Sequence, residues 1–254
     1  MLSNLEMRTA AGSSTPSVIL GRDAMLLVLT WAAGTVDAVS YLGLGHVFTA
    51  MMTGNTVLLG LALAQGEIHA ALRSILALLG FALGVTVGAV IVEHDESDDD
   101  WPACVTAALA VESVILAVFA FAWHFTDSAL GGHSIQLLIV LLGSAMGVQA
   151  AAVRRLDVPG IATTYLTGTI TTLFTDVVSW SRAPGHHWHG PSGDMVKWEQ
   201  RVGLLAAVFL VYGVGALCGG LLYAHYAPAV SVAPLIAVVS VTMNGTFRHR
   251  TLRN

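Results

Sequence analysis

The chain has 254 residues, 55% of them hydrophobic and 11% charged, with a mean hydropathy of +0.73. A water-soluble domain carries about 25% charged residues, so this is the composition of an integral membrane protein whose first partner is the lipid bilayer. Eleven Lys and Arg stand against sixteen Asp and Glu, for a formal charge of −5. No face can gather the cations that neutralising several phosphates requires, which excludes a nucleic-acid partner.

Residues 1–23 are polar and mixed, without the charged start, apolar middle and small-residue cleavage site of a secretory signal peptide. Insertion is therefore expected to be driven by the first membrane helix. Eight apolar stretches follow, at about 24–44, 46–65, 71–92, 102–123, 134–153, 160–180, 202–224 and 228–244, and a basic tail at 245–254 closes the sequence. Residues 24–244 read as one all-α transmembrane domain, a polytopic helical bundle. A straight spanning helix needs about 20 apolar residues. The second and sixth stretches fit that rule poorly: they are rich in Thr, Gly and Asn, and Gly43, Gly45, Pro159 and Gly160 interrupt the chain just before them. The expected architecture is six full transmembrane helices plus two broken or re-entrant segments, with eight spans as the alternative.

The same two stretches carry an internal repeat. Gly34 and Gly147 each lie near the middle of a long apolar run, and about twenty residues later come Thr49-x3-Thr53-Gly54-Asn55 and Thr163-x3-Thr167-Gly168-Thr169. The chain reads as two repeated halves, about 24–123 and 134–244, a plan common among transporters. Lys and Arg in short loops set orientation. With eight spans and the N-terminus inside, nine cations are cytoplasmic and two are outside; with two re-entrant segments, ten are inside and Arg73 alone is outside. Both counts place both termini in the cytoplasm. Three spans per half would make the halves inverted, and four would make them parallel.

Two loop features have ordinary readings. The acidic run from Glu93 to Asp100 lacks the spaced ligands and turn glycine of a calcium loop, and reads as a solvated linker. The cluster His186-His187-Trp188-His189 lies in a Gly/Pro-rich loop with no second ligand group fixed nearby, and reads as an exposed loop. Cys104 and Cys218 sit in apolar runs outside any CxxC or Cys/His pattern, so neither a disulfide nor a zinc site is indicated. No cofactor or metal is expected.

Candidate site residues come from the physics of the bilayer. Non-helical backbone at membrane depth survives only where protein buries it or a cavity hydrates it. Thr53 lies eight residues into its stretch, about 12 Å deep. A helix starting there would aim free N–H groups and a partial positive charge at the membrane centre, where half-helix ends hold anionic or polar solutes in several transporter folds. The bland reading is that small residues and Thr only let helices pack closely. Ionisable groups inside the apolar runs are Asp37, Glu112 and Asp176; each is costly and normally faces a cavity or a partner. Asp37 follows the repeat glycine Gly34, and Gln149 holds nearly the same place after Gly147.

The substrate-binding candidates are therefore Asp37, Thr53, Gly54, Asn55, Gln149, Thr163, Thr167 and Gly168. Asp37 and Glu112 are the candidates for proton coupling, Glu112 having a bland alternative as a packing residue. The sequence holds no HExxH, GxSxG or GxxxxGK[ST] motif and no recognisable carboxylate pair, so no enzyme is expected.

The segment from Gly34 to Leu42, with Val47-Phe48 and the run Met52-Thr53-Gly54-Asn55-Thr56-Val57-Leu58-Leu59-Gly60, resembles the YoaK family of bacterial membrane proteins, a domain family of unknown function. Met146-Gly147-Val148-Gln149-Ala150, Arg154-Arg155, Thr163-Thr164 and Thr167-Gly168-Thr169 resemble that family's second block. The likeness runs from about residue 22 to 244. It departs at Ala150, since Gln149-Ala150-Ala151 stands where the family order is Gln-Asn-Ala, so position 150 offers no polar ligand. The resemblance implies a bacterial inner-membrane protein of about six spans, and it supplies no substrate. Two functional readings follow. The first is a secondary transporter or channel with a midplane site for a small polar or anionic solute. The second is a non-transporting membrane scaffold or sensor. A homo-oligomer is compatible with both.

Overall fold

The computed structural model describes residues 21–93, 99–125, 133–156, 166–181 and 192–253. Its helices are α1 (Arg22–Gly43), α2 (Met52–Gln65), α3 (Ile68–Val92), α4 (Ala103–Phe125), α5 (His133–Arg155), α6 (Leu166–Ser181), α7 (Ser192–His225) and α8 (Val232–Arg253), with a short 3-10 turn at Ala227–Ala229 before the last. There is no strand among the described residues. Among the described residues, six helices are long and apolar enough to cross a membrane: α1, α3, α4, α5, α7 and α8. Over the described residues α2 and α6 have 14 and 16 residues and reach about 21 and 24 Å, short of a hydrocarbon core of about 30 Å.

Side-chain contacts fix the direction of each helix. Arg22, at the start of α1, lies 3.8 Å from Asp100, which precedes α4, and Arg248 of α8 lies 3.8 Å from the same carboxylate. At the opposite end, Gly43 packs against the rings of Trp123 and Tyr223, the last turns of α4 and α7. Hence α1 and α4 run parallel, and one crossing, that of α3, separates them; α2 does not cross. Thr106 meets His249 and Ser113 meets Thr242, each at 3.4 Å, and Trp123 donates to the Ala227 carbonyl at 3.3 Å, so α4 and α8 are antiparallel. Ile135 near the start of α5, Tyr223 near the end of α7 and Pro228 before α8 line one cavity at this second end. The chain leaves that end in α5 and returns to it in α7, so α6 adds no crossing. Six crossings with two short, non-crossing helices are the outcome of the alternatives that the apolar stretches left open.

Two glycine seams hold the bundle. On one, α1 and α7 approach until Gly34 touches the Tyr212 carbonyl, Gly215 the Trp31 carbonyl and Gly219 the backbone of Thr35. On the other, α3 and α5 approach until Gly147 touches the Phe81 carbonyl, Gly84 the Ser144 carbonyl and Gly88 the backbone of Val148. A side chain at any of these glycines would overlap backbone, so small residues decide which helices can pair. Each seam adds a cross-helix hydrogen bond: Thr35 Oγ1 donates to Gly215 O at 3.0 Å and Ser144 Oγ to Gly80 O at 3.0 Å. Outward faces keep large apolar side chains exposed, among them Leu79, Leu83, Val114, Phe121, Leu210 and Leu217. A soluble protein would bury such a belt, and here it is the lipid-facing surface.

The connection into α2 is the local feature that positions the site. Gly45 and His46 both take positive φ, 84° and 64°, and turn the chain back after α1. Arg73 of α3 clamps the turn by donating to Gly45 O at 3.1 Å. Residues 47–51 then run without helical structure beside α1 until α2 begins at Met52. The far end of α2 closes on Gly66 in the left-handed conformation, with Glu67 N–H reaching back to Ala62 O at 2.8 Å, the usual glycine-terminated helix end.

Candidate membrane-embedded polar site

Asp37 is the centre of the polar construction. It lies one turn after Gly34 and six residues before the end of α1, about 9 Å in from that end, and is 3% exposed. Because Gly34 lets the α7 backbone come into contact, the Tyr212 hydroxyl reaches Asp37 and donates to Oδ2. The other oxygen, Oδ1, accepts the backbone N–H of Thr49 at 2.9 Å and of Ala50 at 2.7 Å. These donors come from the irregular segment before α2, the part of the chain with backbone groups to spare. Bonds of this kind are stronger when the acceptor is ionised than when it is neutral. The carboxylate thus ties together α1, α7 and the connection into α2.

Asn55, fully buried, braces the same segment. Its Oδ1 accepts the Phe48 N–H at 2.9 Å and its Nδ2 donates to the Phe48 carbonyl, so one side chain satisfies both backbone groups of that residue. Gly54 leaves room for the Phe48 ring, and that ring stacks on Tyr41 with centroids 5.2 Å apart. The Thr49 hydroxyl is buried beside this network and has no hydrogen-bond partner among the described residues. A buried donor without a partner is costly, which marks the spot as one where a polar ligand atom would be welcome.

The other sequence candidates are distributed as follows. Thr53, in the first turn of α2, is exposed, and so is Thr167 in the first turn of α6; Gly168 is partly buried. On α6, the hydroxyls of Thr171, Thr172 and Thr175 bond back to carbonyls of their own helix. Thr163, with Pro159 and Gly160, lies outside the described residues, as do the histidine cluster 186–189 and residues 94–98 of the acidic run. Gln149 is buried on α5 and donates from Nε2 to Leu29 O at 3.2 Å. That contact meets α1 eight residues before Asp37, about 12 Å along the helix axis, so Gln149 and Asp37 do not share one shell. Asp176 pairs with Arg201 of α7 at 3.5 Å. Glu112 is fully buried on α4.

Two contributors escape a reading of the sequence by motif. Tyr212 is the donor from α7, and its signal is a tyrosine in an apolar span at the head of the spacing Tyr212-x2-Gly215-x3-Gly219. The backbone of Thr49 and Ala50 is the second, since no side-chain pattern announces a main-chain donor. A cavity of about 560 Å³ opens at the second end of the bundle, between the ends of α1, α4 and α7 and the start of α5, lined by Gly43, Leu44, Trp123 and Tyr223 among others. Its floor includes the first residue of the irregular connection, Leu44. No group of three or more metal-ligating side chains occurs among the described residues.

Comparison with known proteins agrees with this architecture. Residues 25–243 match a family described as a protein of unknown function, DUF1275. The chain is 33% identical over 233 residues to the UPF0700 transmembrane protein YoaK of Bacillus subtilis (strain 168), covering 89% of this chain and 95% of that protein. No solved structure matches. A match across nearly the whole membrane domain and a transmembrane relative covered over almost its full length lead to one conclusion: the chain belongs to the DUF1275 family of multi-pass membrane proteins, the family of YoaK.

Proposed function

We propose that the protein is a secondary transporter or channel for a small polar or anionic solute, with its site at the junction of α1, α7 and the segment leading into α2. The observation that carries this reading is irregular backbone at membrane depth whose N–H groups converge on a buried carboxylate. Main-chain donors gathered at one point make an anion-binding concavity, and in this conformation Asp37 fills it from within. A solute carboxylate or other anion would take the same donors when Asp37 is displaced, and the unpartnered Thr49 hydroxyl offers a further contact. Asn55 and Gly54 shape the segment, whereas Thr53, Gln149, Thr167 and Gly168 would contact solute only in a rearranged state.

The duplicated plan supports alternating access. If the halves are repeats, the contacts of the two glycine seams correspond: Gly34 answers to Gly147, Tyr212 to Phe81, Gly215 to Gly84 and Gly219 to Gly88. With three crossings in each half the repeats are inverted, the arrangement in which rocking one half against the other exposes a central site to each side in turn. Ten of the eleven Lys and Arg then belong to the end that carries both termini. That asymmetry supports a cytoplasmic location for both termini in a bacterial inner membrane. No enzymatic role is part of this reading.

The test is a thermal-shift screen of the detergent-purified protein against metabolites and inorganic anions, because a ligand that binds the folded state raises its apparent stability by mass action. A compound that stabilises the native protein, fails to stabilise Thr49→Val and stabilises Asp37→Asn at least as well as the native chain supports the site and names the solute class. If nothing stabilises the protein while both variants stay folded, the polar cluster serves packing alone. The close seam between α3 and α5 is what favours that second reading, a non-transporting scaffold or sensor.

A further inference from the structure

The two acids buried in spanning helices differ in their partners. Asp37 has three donors on two oxygens. Glu112, near the middle of α4 and 0% exposed, has no hydrogen-bond partner on either oxygen among the described residues.

Nor is a counter-ion at hand. The helices packed against α4 are α3, α5 and α8. On α3, no titratable side chain occurs between Arg73 and Glu93; on α5, none between His133 and Arg154; on α8, none before Arg248. Along α4 itself the neighbouring titratable groups are Cys104 and His124. The contact of Ser113 with Thr242 sets the register of α4 against α8 and leaves Arg248 six residues, about 9 Å, away along α8. Arg248 already faces Asp100 at 3.8 Å. His249 meets α4 at Thr106, six residues before Glu112.

An ionised carboxylate placed there would have lost its water without gaining a donor or a cation, the most expensive arrangement an acid can adopt in a bilayer. A hard metal ion would not relieve it, since such ions take six or more oxygen ligands and no metal-ligating group of three or more occurs among the described residues. The ligand that neutralises a lone carboxylate and needs no further protein atoms is a proton.

We propose that Glu112 is a proton-binding site, separate from the Asp37 cluster, that holds its proton in this conformation and releases it when helix movement admits water to α4. This divides two roles that the sequence assigns jointly to Asp37 and Glu112: Asp37 is the charged anchor and Glu112 the proton carrier. That the proton drives solute movement rests on the transporter reading; the site itself does not.

Infrared spectroscopy of the full-length protein in lipid at neutral pH tests it. The native protein and Asp37→Asn are expected to show the carbonyl band of one protonated carboxylic acid, shifting in deuterium oxide. Glu112→Gln is expected to lose that band completely, and Glu112→Asp to keep one at a displaced frequency. Absence of the band from the native protein overturns the proposal, as does its persistence in Glu112→Gln or its loss in Asp37→Asn. Should Glu112→Gln fail to fold, the band in the native protein and its displacement in Glu112→Asp still decide the matter. A failed solute screen leaves the band in place, so failure of the transporter reading and failure of the proton site are told apart.

Discussion

The seam between α1 and α7 and the seam between α3 and α5 are built alike and filled differently. In each, glycines one turn apart bring two parallel helices to backbone contact, with an aromatic residue one turn ahead of the first glycine: Tyr212 before Gly215, Phe81 before Gly84. On the first seam the aromatic ring carries a hydroxyl and finds Asp37. On the second, the place three residues after Gly147 is Ala150, and Phe81 has nothing to donate. Close packing with one cross-helix hydrogen bond is thus the shared frame, and a buried acid with its phenol donor is an addition made to one of the two seams. That separates what holds the bundle together from what gives it a site.

The largest effect is expected from changes to the frame. Gly84→Val and Gly34→Val each push a branched side chain into a backbone carbonyl of the facing helix. Overpacking of this kind costs about 3 kcal/mol, and both variants should lose monodisperse protein in size-exclusion chromatography. Next comes Asp37→Ala, which strands two backbone donors and a phenol; a loss of about 3 kcal/mol should lower the melting temperature far more than Asp37→Asn, which keeps an acceptor. If Asp37→Ala melts like the native protein, the anchor reading fails. Asn55→Ala removes both bonds to Phe48 and should cost about 2 kcal/mol. Tyr212→Phe makes the first seam resemble the second and should cost only about 1 kcal/mol, the usual scale of a cross-helix bond in a membrane; measured beside Phe81→Tyr, it sharpens the contrast, since the latter has no buried acid to gain. Smallest of all is Arg22→Ala: its partners Asp23 and Asp100 are exposed, and a shift below about 0.5 kcal/mol is expected.

Much of this architecture could be read from residue types, because the bilayer imposes a length rule. The long apolar runs became α1, α3, α4, α5, α7 and α8, and the Thr/Gly-rich stretches became the two helices too short to cross. Asp37 stood out as a candidate because an acid in an apolar span must have a reason. Its partners did not. Thr49 and Ala50 contribute main-chain groups, which leave no trace in composition, and Tyr212 lies 175 residues away from Asp37 in sequence. Gln149, named beside Asp37 from its place after a glycine, donates to Leu29 O eight residues before Asp37 on α1, a separation along the helix axis that glycine spacing does not reveal. Asn55 was named as a solute-binding candidate, and in this conformation its side chain bonds to the backbone of Phe48, a partner no motif specifies.

The connection between α1 and α2 has no helical hydrogen bonding of its own, yet its amides at Phe48, Thr49 and Ala50 are all committed to side-chain oxygens of Asn55 and Asp37. In hydrogen–deuterium exchange it should therefore behave like core. A peptide covering residues 47–51 should exchange as slowly as the middle of α1, while the exposed turn at Gly66 exchanges freely. The stability of this stretch is held by two acceptors on neighbouring elements, so it opens as one unit when either acceptor lets go. A solute that displaced Asp37 would be seen first as the sudden exposure of those few amides.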